Sequence, residues 1–97
     1  MEHFKKADRE KIYREALGKY GFMAQAVVAL EELSEVQKEI CKTLRNKGNR
    51  QDLAEEIADA CIMLEQIAML CDVKQMVVDQ VDTKLIRLKR RLKGEVE

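Results

Sequence analysis

An all-α fold, an antiparallel bundle of about four helices, is what this chain predicts, and three observations predict it. It has no proline and only four glycines in 97 residues. It is rich in Ala, Leu, Glu, Lys and Val and has almost no aromatic residues, a mixture of strong helix formers. Three of its segments also repeat apolar residues on one heptad period, the seam of helices packed side by side.

The polar and glycine punctuation gives the elements in order. A first helix is expected over 8–20, with Asp8 as its cap, Ile12, Ala16 and Leu17 as its apolar side, and Gly18 and Gly21 weakening and then ending it. A second spans 22–45, where Phe22, Ala26, Ala29, Leu33, Val36 and Ile40 step alternately by four and three. The stretch Asn46-Lys47-Gly48-Asn49-Arg50 reads as a turn, and Asn49 followed by Asp52 resembles a cap with an acidic first turn. The third helix, 51–71, carries the seam Leu53, Ile57, Ala60, Leu64, Ile67 and Cys71. Asp72 then caps a fourth, 73–93, with the seam Val78, Val81, Leu85, Leu88 and Leu92. Seams of one period predict that the last three helices form an antiparallel core crossing near 20°.

The bulk numbers narrow the function. The length fits one domain, 1–97, and a chain this short buries only about 60–65% of its unfolded surface, which argues for a homodimer or a homotetramer. Formal net charge is zero, so nothing points to nucleic acid or a membrane surface. No run nears the ~18–20 apolar residues of a membrane span. Cys41, Cys61 and Cys71 are odd in number and lack CxxC spacing, as expected of reduced thiols in a cytoplasmic protein. The only histidine, His3, excludes Glu-x-x-His di-iron sites and Ser/His/Asp chemistry.

The chemistry concentrates in two acidic pairs, Glu32-x-x-Glu35 and Glu56-x-x-Asp59, on consecutive helices with 20 residues between them. A three-residue step brings two side chains onto one helix face about a turn apart. Either pair alone is a common solvated face. Together they hold the same wheel positions, beside the seam rather than opposite it. Their flanks read Gln25, Glu32, Glu35, Glu39 and Asp52, Glu56, Asp59, Met63, with no Lys or Arg one turn away on that side. Four converging carboxylates need a cation, and oxygen-only ligands select a hard one, Mg²⁺ or in its place Mn²⁺. Lys84, Arg87 and Arg91 take the matching register of the fourth helix and suit phosphate binding; Lys89, Arg90 and Lys93 complement the helix dipole. Gln25, two turns before Glu32, can bond a ligand or serve as a core-edge amide. Met63, Tyr13 and Tyr20 read as packing residues.

The run Glu31-Glu32-Leu33-Ser34-Glu35, the polar turn and Glu55-Glu56-Ile57-Ala58-Asp59 resemble the ExxE–spacer–ExxD signature of the MazG-type all-α nucleoside triphosphate pyrophosphohydrolases, over 21–91. Gln25 and the basic last helix fit its small phage- and prophage-type members. The resemblance implies a dimeric or tetrameric helical bundle that hydrolyses an NTP or dNTP to the monophosphate and pyrophosphate with Mg²⁺. It assigns Glu32, Glu35, Glu56 and Asp59 as metal ligands, with one of the carboxylates, Glu32 or Glu35, free to accept a proton. Lys84, Arg87 and Arg91 would steady the departing pyrophosphate. Where several members carry an Asn on the last helix this chain has Lys84, which suits a triphosphate. The rival expectation is a non-catalytic helical interaction or regulatory module whose acidic flank binds a basic surface.

Overall fold

The computed structural model describes residues 3–95. It is helical, with no strand among those residues, and its four helices are α1 (Lys6–Tyr20), α2 (Phe22–Leu44), α3 (Arg50–Leu70) and α4 (Lys74–Leu92). Each lies within about two residues of its expected span. No helix is long and apolar enough to cross a membrane.

The helix ends follow local chemistry, with two exceptions. Gly21 separates α1 from α2 at φ 85, ψ 160, a region in which a Cβ clashes with the backbone, and its N–H closes the first helix on the Leu17 carbonyl at 2.8 Å. Asn49 caps α3 by accepting from the Asp52 N–H at 2.8 Å. Asp8 is not a cap; it lies in the first turn of a helix that starts after Lys5. Nor does Asp72 cap α4. It takes a left-handed conformation, φ 56, in the turn before Val73, and no side chain caps the start of α4.

The core is the antiparallel α2/α3 hairpin, with α1 laid against both helices. The expected seam holds at Ala26, Ala29, Leu33 and Val36 of α2 and at Leu53, Ala60 and Ile67 of α3, all buried or half-buried, and fails elsewhere along it. Buried residues on α2 are Gln25, Ala29 and Glu39, with Glu32 and Val36 half-buried between them; on α3 they are Ala60, Met63 and Gln66, with Leu53 and Glu56 half-buried. Ile40, Ile57 and Leu64, which the heptad put in the seam, are 45–49% exposed. The pair is rolled toward its acidic flank. Ala29 and Ala60, one on each helix, are both buried within this hairpin, and a methyl side chain lets helix backbones approach more closely than a larger one does.

α1 is clasped from its polar side. Arg9 pairs with Glu65, the buried Tyr13 hydroxyl donates to Glu65 Oε2 at 2.6 Å, and Lys74 reaches back from α4 to Glu10. Ile12 is exposed, while Ala16 and Leu17 are half-buried. Tyr20 is exposed too, with Lys19 over its ring, so of the two tyrosines only Tyr13 packs.

The expected three-helix core is not formed. α4 approaches the backbone of α3, touches α1 through Lys74, has no close backbone approach to α2, and buries none of its residues. The turn around Asp72 and the Lys74–Glu10 pair fix only the start of α4, and the rest projects as an arm. The molecule measures 49 × 36 × 30 Å, with a radius of gyration of 16.4 Å against about 13 Å for a compact chain of this size.

Two outcomes follow from these contacts. Gly21→Ala forces a side chain into a glycine-only backbone region and should cost on the order of 2 kcal/mol in urea unfolding, with helical content kept. Glu10 has its pKa held below the ordinary 4.5 chiefly by the hydrogen bond from Lys74. A lowered carboxylate stabilises the fold fully above its ordinary value and loses that stabilisation as pH falls through the folded-state value. Glu10→Gln should therefore melt below the parent at pH 7, and the gap should close as melts are taken at pH values progressively below 4.5.

Candidate metal centre

Rolling the hairpin toward its acidic flank puts carboxylates from both helices into one space. Glu32 of α2 and Glu56 and Asp59 of α3 each present an oxygen, and these oxygens all lie within 4.8 Å of one another. Glu32 and Glu56 are half-buried and Asp59 is exposed. The three-residue spacing aims Glu56 and Asp59 from α3, and the antiparallel pairing brings Glu32 across to them.

Electrostatics record the crowding. The Glu32 carboxyl is pushed above its ordinary value by burial first, then by the charges of Asp59 and Glu56, a hydrogen bond with Asp59, and Glu35. Glu56 is raised by burial, then by Asp59, Glu35, Glu39 and Glu55. In both, burial and neighbouring negative charge disfavour the ionised form relative to an isolated glutamate.

Glu35 stands apart from the triad. Its Oε1 accepts from Lys38 Nζ at 3.3 Å, yet its charge is felt by both Glu32 and Glu56. The expected absence of a neighbouring cation on this flank is therefore corrected. Lys38 reaches Glu35, and Lys42 reaches Glu39 at 3.1 Å, because a lysine three residues on can lean back across one turn. The Lys42 ammonium has its pKa raised by the Glu39 bond first, with Asp52 and Glu35 also contributing.

Glu39, which the sequence places on this flank, was given no role there. It is buried, with only 7% of its side chain exposed, its Oε2 meets Lys42, and its Oε1 has no hydrogen-bond partner. Its signal was present: it lies one heptad beyond Glu32, as Gln25 lies one heptad before. Gln25 is buried at the α2/α3 seam, about 10 Å along the helix from Glu32. Met63 is buried core.

The basic residues are not at this centre. Lys84, Arg87 and Arg91 ride on α4, which has no close backbone approach to α2, so the matching register that linked them to the acids does not bring them together within one chain. The recess beside Glu32 and Glu35, about 490 Å³, has walls from α2 alone: Val27, Leu30, Glu31, Glu32, Ser34 and Glu35.

No protein-family model, curated protein or solved structure matches this chain.

The cluster makes a stability prediction. A carboxyl with a raised folded-state pKa costs stability in full above that value and nothing below its ordinary 4.5. Glu32→Gln should therefore raise the melting temperature in EDTA at neutral pH, and the gain should vanish as pH is lowered below 4.5. A lower melting temperature at neutral pH would mean that the carboxylate is a structural partner instead.

Proposed function

We infer that this chain is a Mg²⁺-dependent nucleoside triphosphate pyrophosphohydrolase, releasing pyrophosphate and a nucleoside monophosphate. The observation that carries the reading is the meeting of Glu32 with Glu56 and Asp59 within 4.8 Å, from two motifs well separated in sequence. The donor set is oxygen only, two of its carboxyls resist ionisation, and a neighbouring buried carboxylate has an unpartnered oxygen. Such a set fits a hard divalent cation, Mg²⁺ or Mn²⁺. Glu32, Glu56 and Asp59 would hold it, with Glu35 one turn along. A cation bound there supplies Lewis acidity at a phosphoryl group and acidifies a coordinated water.

The chain's own residues divide the remaining work. Glu35, beside the triad but paired to Lys38, accepts the proton of the attacking water. Lys38 and Lys42 hold the outer acids in place and limit their mutual repulsion. Lys84, Arg87 and Arg91 neutralise the leaving pyrophosphate. Since α4 keeps clear of α2, the reading assigns that task to the α4 of another copy, in a homodimer or homotetramer. Gln25, along the same face, contributes an amide to the nucleoside end.

One observation favours a second reading. The apolar stripe of α4 is uncovered, as it would be in a non-catalytic interaction or regulatory module. The two readings separate on ligand response. An enzyme site is stabilised by Mg²⁺ with a nucleotide, and an interaction module is not.

The direct test is pyrophosphate release from a panel of NTPs and dNTPs with Mg²⁺. Glu32→Gln or Asp59→Asn should lower the rate about a hundredfold, on the order of 3 kcal/mol in the barrier, with the helical spectrum unchanged. Lys84→Ala should lower it less, because the neighbouring arginines and the cation still carry positive charge. Parent rates in both acid variants would overturn the reading.

A further inference from the structure

The α4 stripe is regular and uncovered. Val78, Val81, Leu85, Leu88 and Leu92 keep the heptad period and are 48–81% exposed. Helices in proteins draw most of their stability from packing an apolar face, and this 19-residue helix has almost none of that packing within its own chain.

A matching hollow lies at its base. Between α1, the end of α3 and the start of α4 is a groove of about 630 Å³. Its floor includes Leu64, Ile67, Ala68, Val73 and Val77, and Lys6, Arg9, Glu10, Glu65 and Lys74 stand among its lining residues. Val78 lines the groove and also begins the stripe, so one chain carries hollow and ridge on a single continuous apolar track.

Surface area selects the occupant. The chain exposes 8086 Å², whereas a compact monomer of 11.2 kDa exposes about 5,700 Å². The excess is roughly 2,400 Å², which matches the ~1,000–2,500 Å² that each partner buries in an obligate homodimer. A short peptide in the groove would leave the stripe open. A second copy covers both, because a two-fold axis pairs each ridge with the other's hollow. Zero formal net charge lets two copies approach without net repulsion.

We propose that α4 is a reciprocal dimerisation arm, its Val81–Leu92 stripe seated in the α1/α3 groove of a second copy of this chain. The proposal stands apart from the metal reading: the arm can pair whether or not the acids bind a cation.

Sedimentation of the full chain at micromolar concentration should give twice 11.2 kDa or a multiple of that. The double variant Leu85→Asp, Leu88→Asp should sediment at the single-chain mass or lose its helical signal, whereas Glu32→Gln should keep the parent mass. Amine cross-linking of mixed isotope-labelled and unlabelled parent chains gives the location independently of how that variant folds. Mixed-isotope links should join Lys89 or Lys93 of one copy to Lys6 or Lys74 of the other. A parent chain that sediments as a monomer overturns the proposal. So does a double variant that keeps the dimer mass, or a set of mixed links confined to the α2 lysines Lys38 and Lys42. Loss of pyrophosphatase activity with the dimer intact would bear on the enzyme reading alone.

Discussion

The packing of α2 on α3, with Ala29 and Ala60 both buried, governs the rest of the molecule. Gln25 and Glu39 are buried beside Ala29, and Met63 and Gln66 beside Ala60, so the buried face of each helix extends onto its polar flank. Dispersion and apolar burial along the hairpin thereby force Glu32 against Glu56 and Asp59. The arrangement opposes itself: packing pulls the helices together along the line where their charges push apart. Lys38 and Lys42 relieve only the outer members, Glu35 and Glu39. The residual repulsion stays on Glu32 and Glu56, whose carboxyls are raised by burial and by one another. A fold that holds ionisable groups in this state keeps local strain that a cation relieves.

How much of this was legible in the sequence follows from which forces are local. Helix spans were legible because composition and turn chemistry act within a few residues; Gly21 and Asn49 do what their side chains allow in any context. The caps assigned to Asp8 and Asp72 were not, since a cap depends on the backbone of one residue, and an acidic residue is equally at home in a first turn or a left-handed turn. The seam was legible in period, and in phase only in part. A heptad with alanine at its centre fits a contact on either side of that alanine, and only the partner helix decides. Ile40 and Ile57, apolar and in period, went outward, while Glu39 and Glu56 went inward. The acidic pairs were found because the spacing within each and their common register survive that rotation. Glu39 was placed on the same flank but given no role, because the heptad step that puts it there does not tell a buried acid from a solvated one.

The fourth helix shows a different limit. Its seam is the most regular of the three, and its own chain does not use it. Period states that a face must be covered, and it is silent on which molecule covers it. The sequence matched α4 to α2 and α3 by register, and the same register would serve equally on a second copy. The turn at Asp72 and the ion pair from Lys74 to Glu10 fix the base of the helix, and its apolar stripe stays exposed from there to Leu92.

The two uncovered features therefore answer different questions. An apolar stripe on α4 would weigh against an enzyme if it shared a face with the acids, because one surface rarely serves both a cation and an apolar partner. Here the stripe projects from the end of α3 remote from the α2/α3 turn, and the acids sit within the hairpin. The carboxylate cluster also costs stability that an interaction surface has no need to spend, since a basic partner is held as well by acids spread in solvent. Bringing Glu32, Glu56 and Asp59 within 4.8 Å, with two of them half-buried, sets their charges against one another, and a compact multiply charged ion between them would offset that cost. That asymmetry, and not the number of acids, is what favours a cation site on this flank.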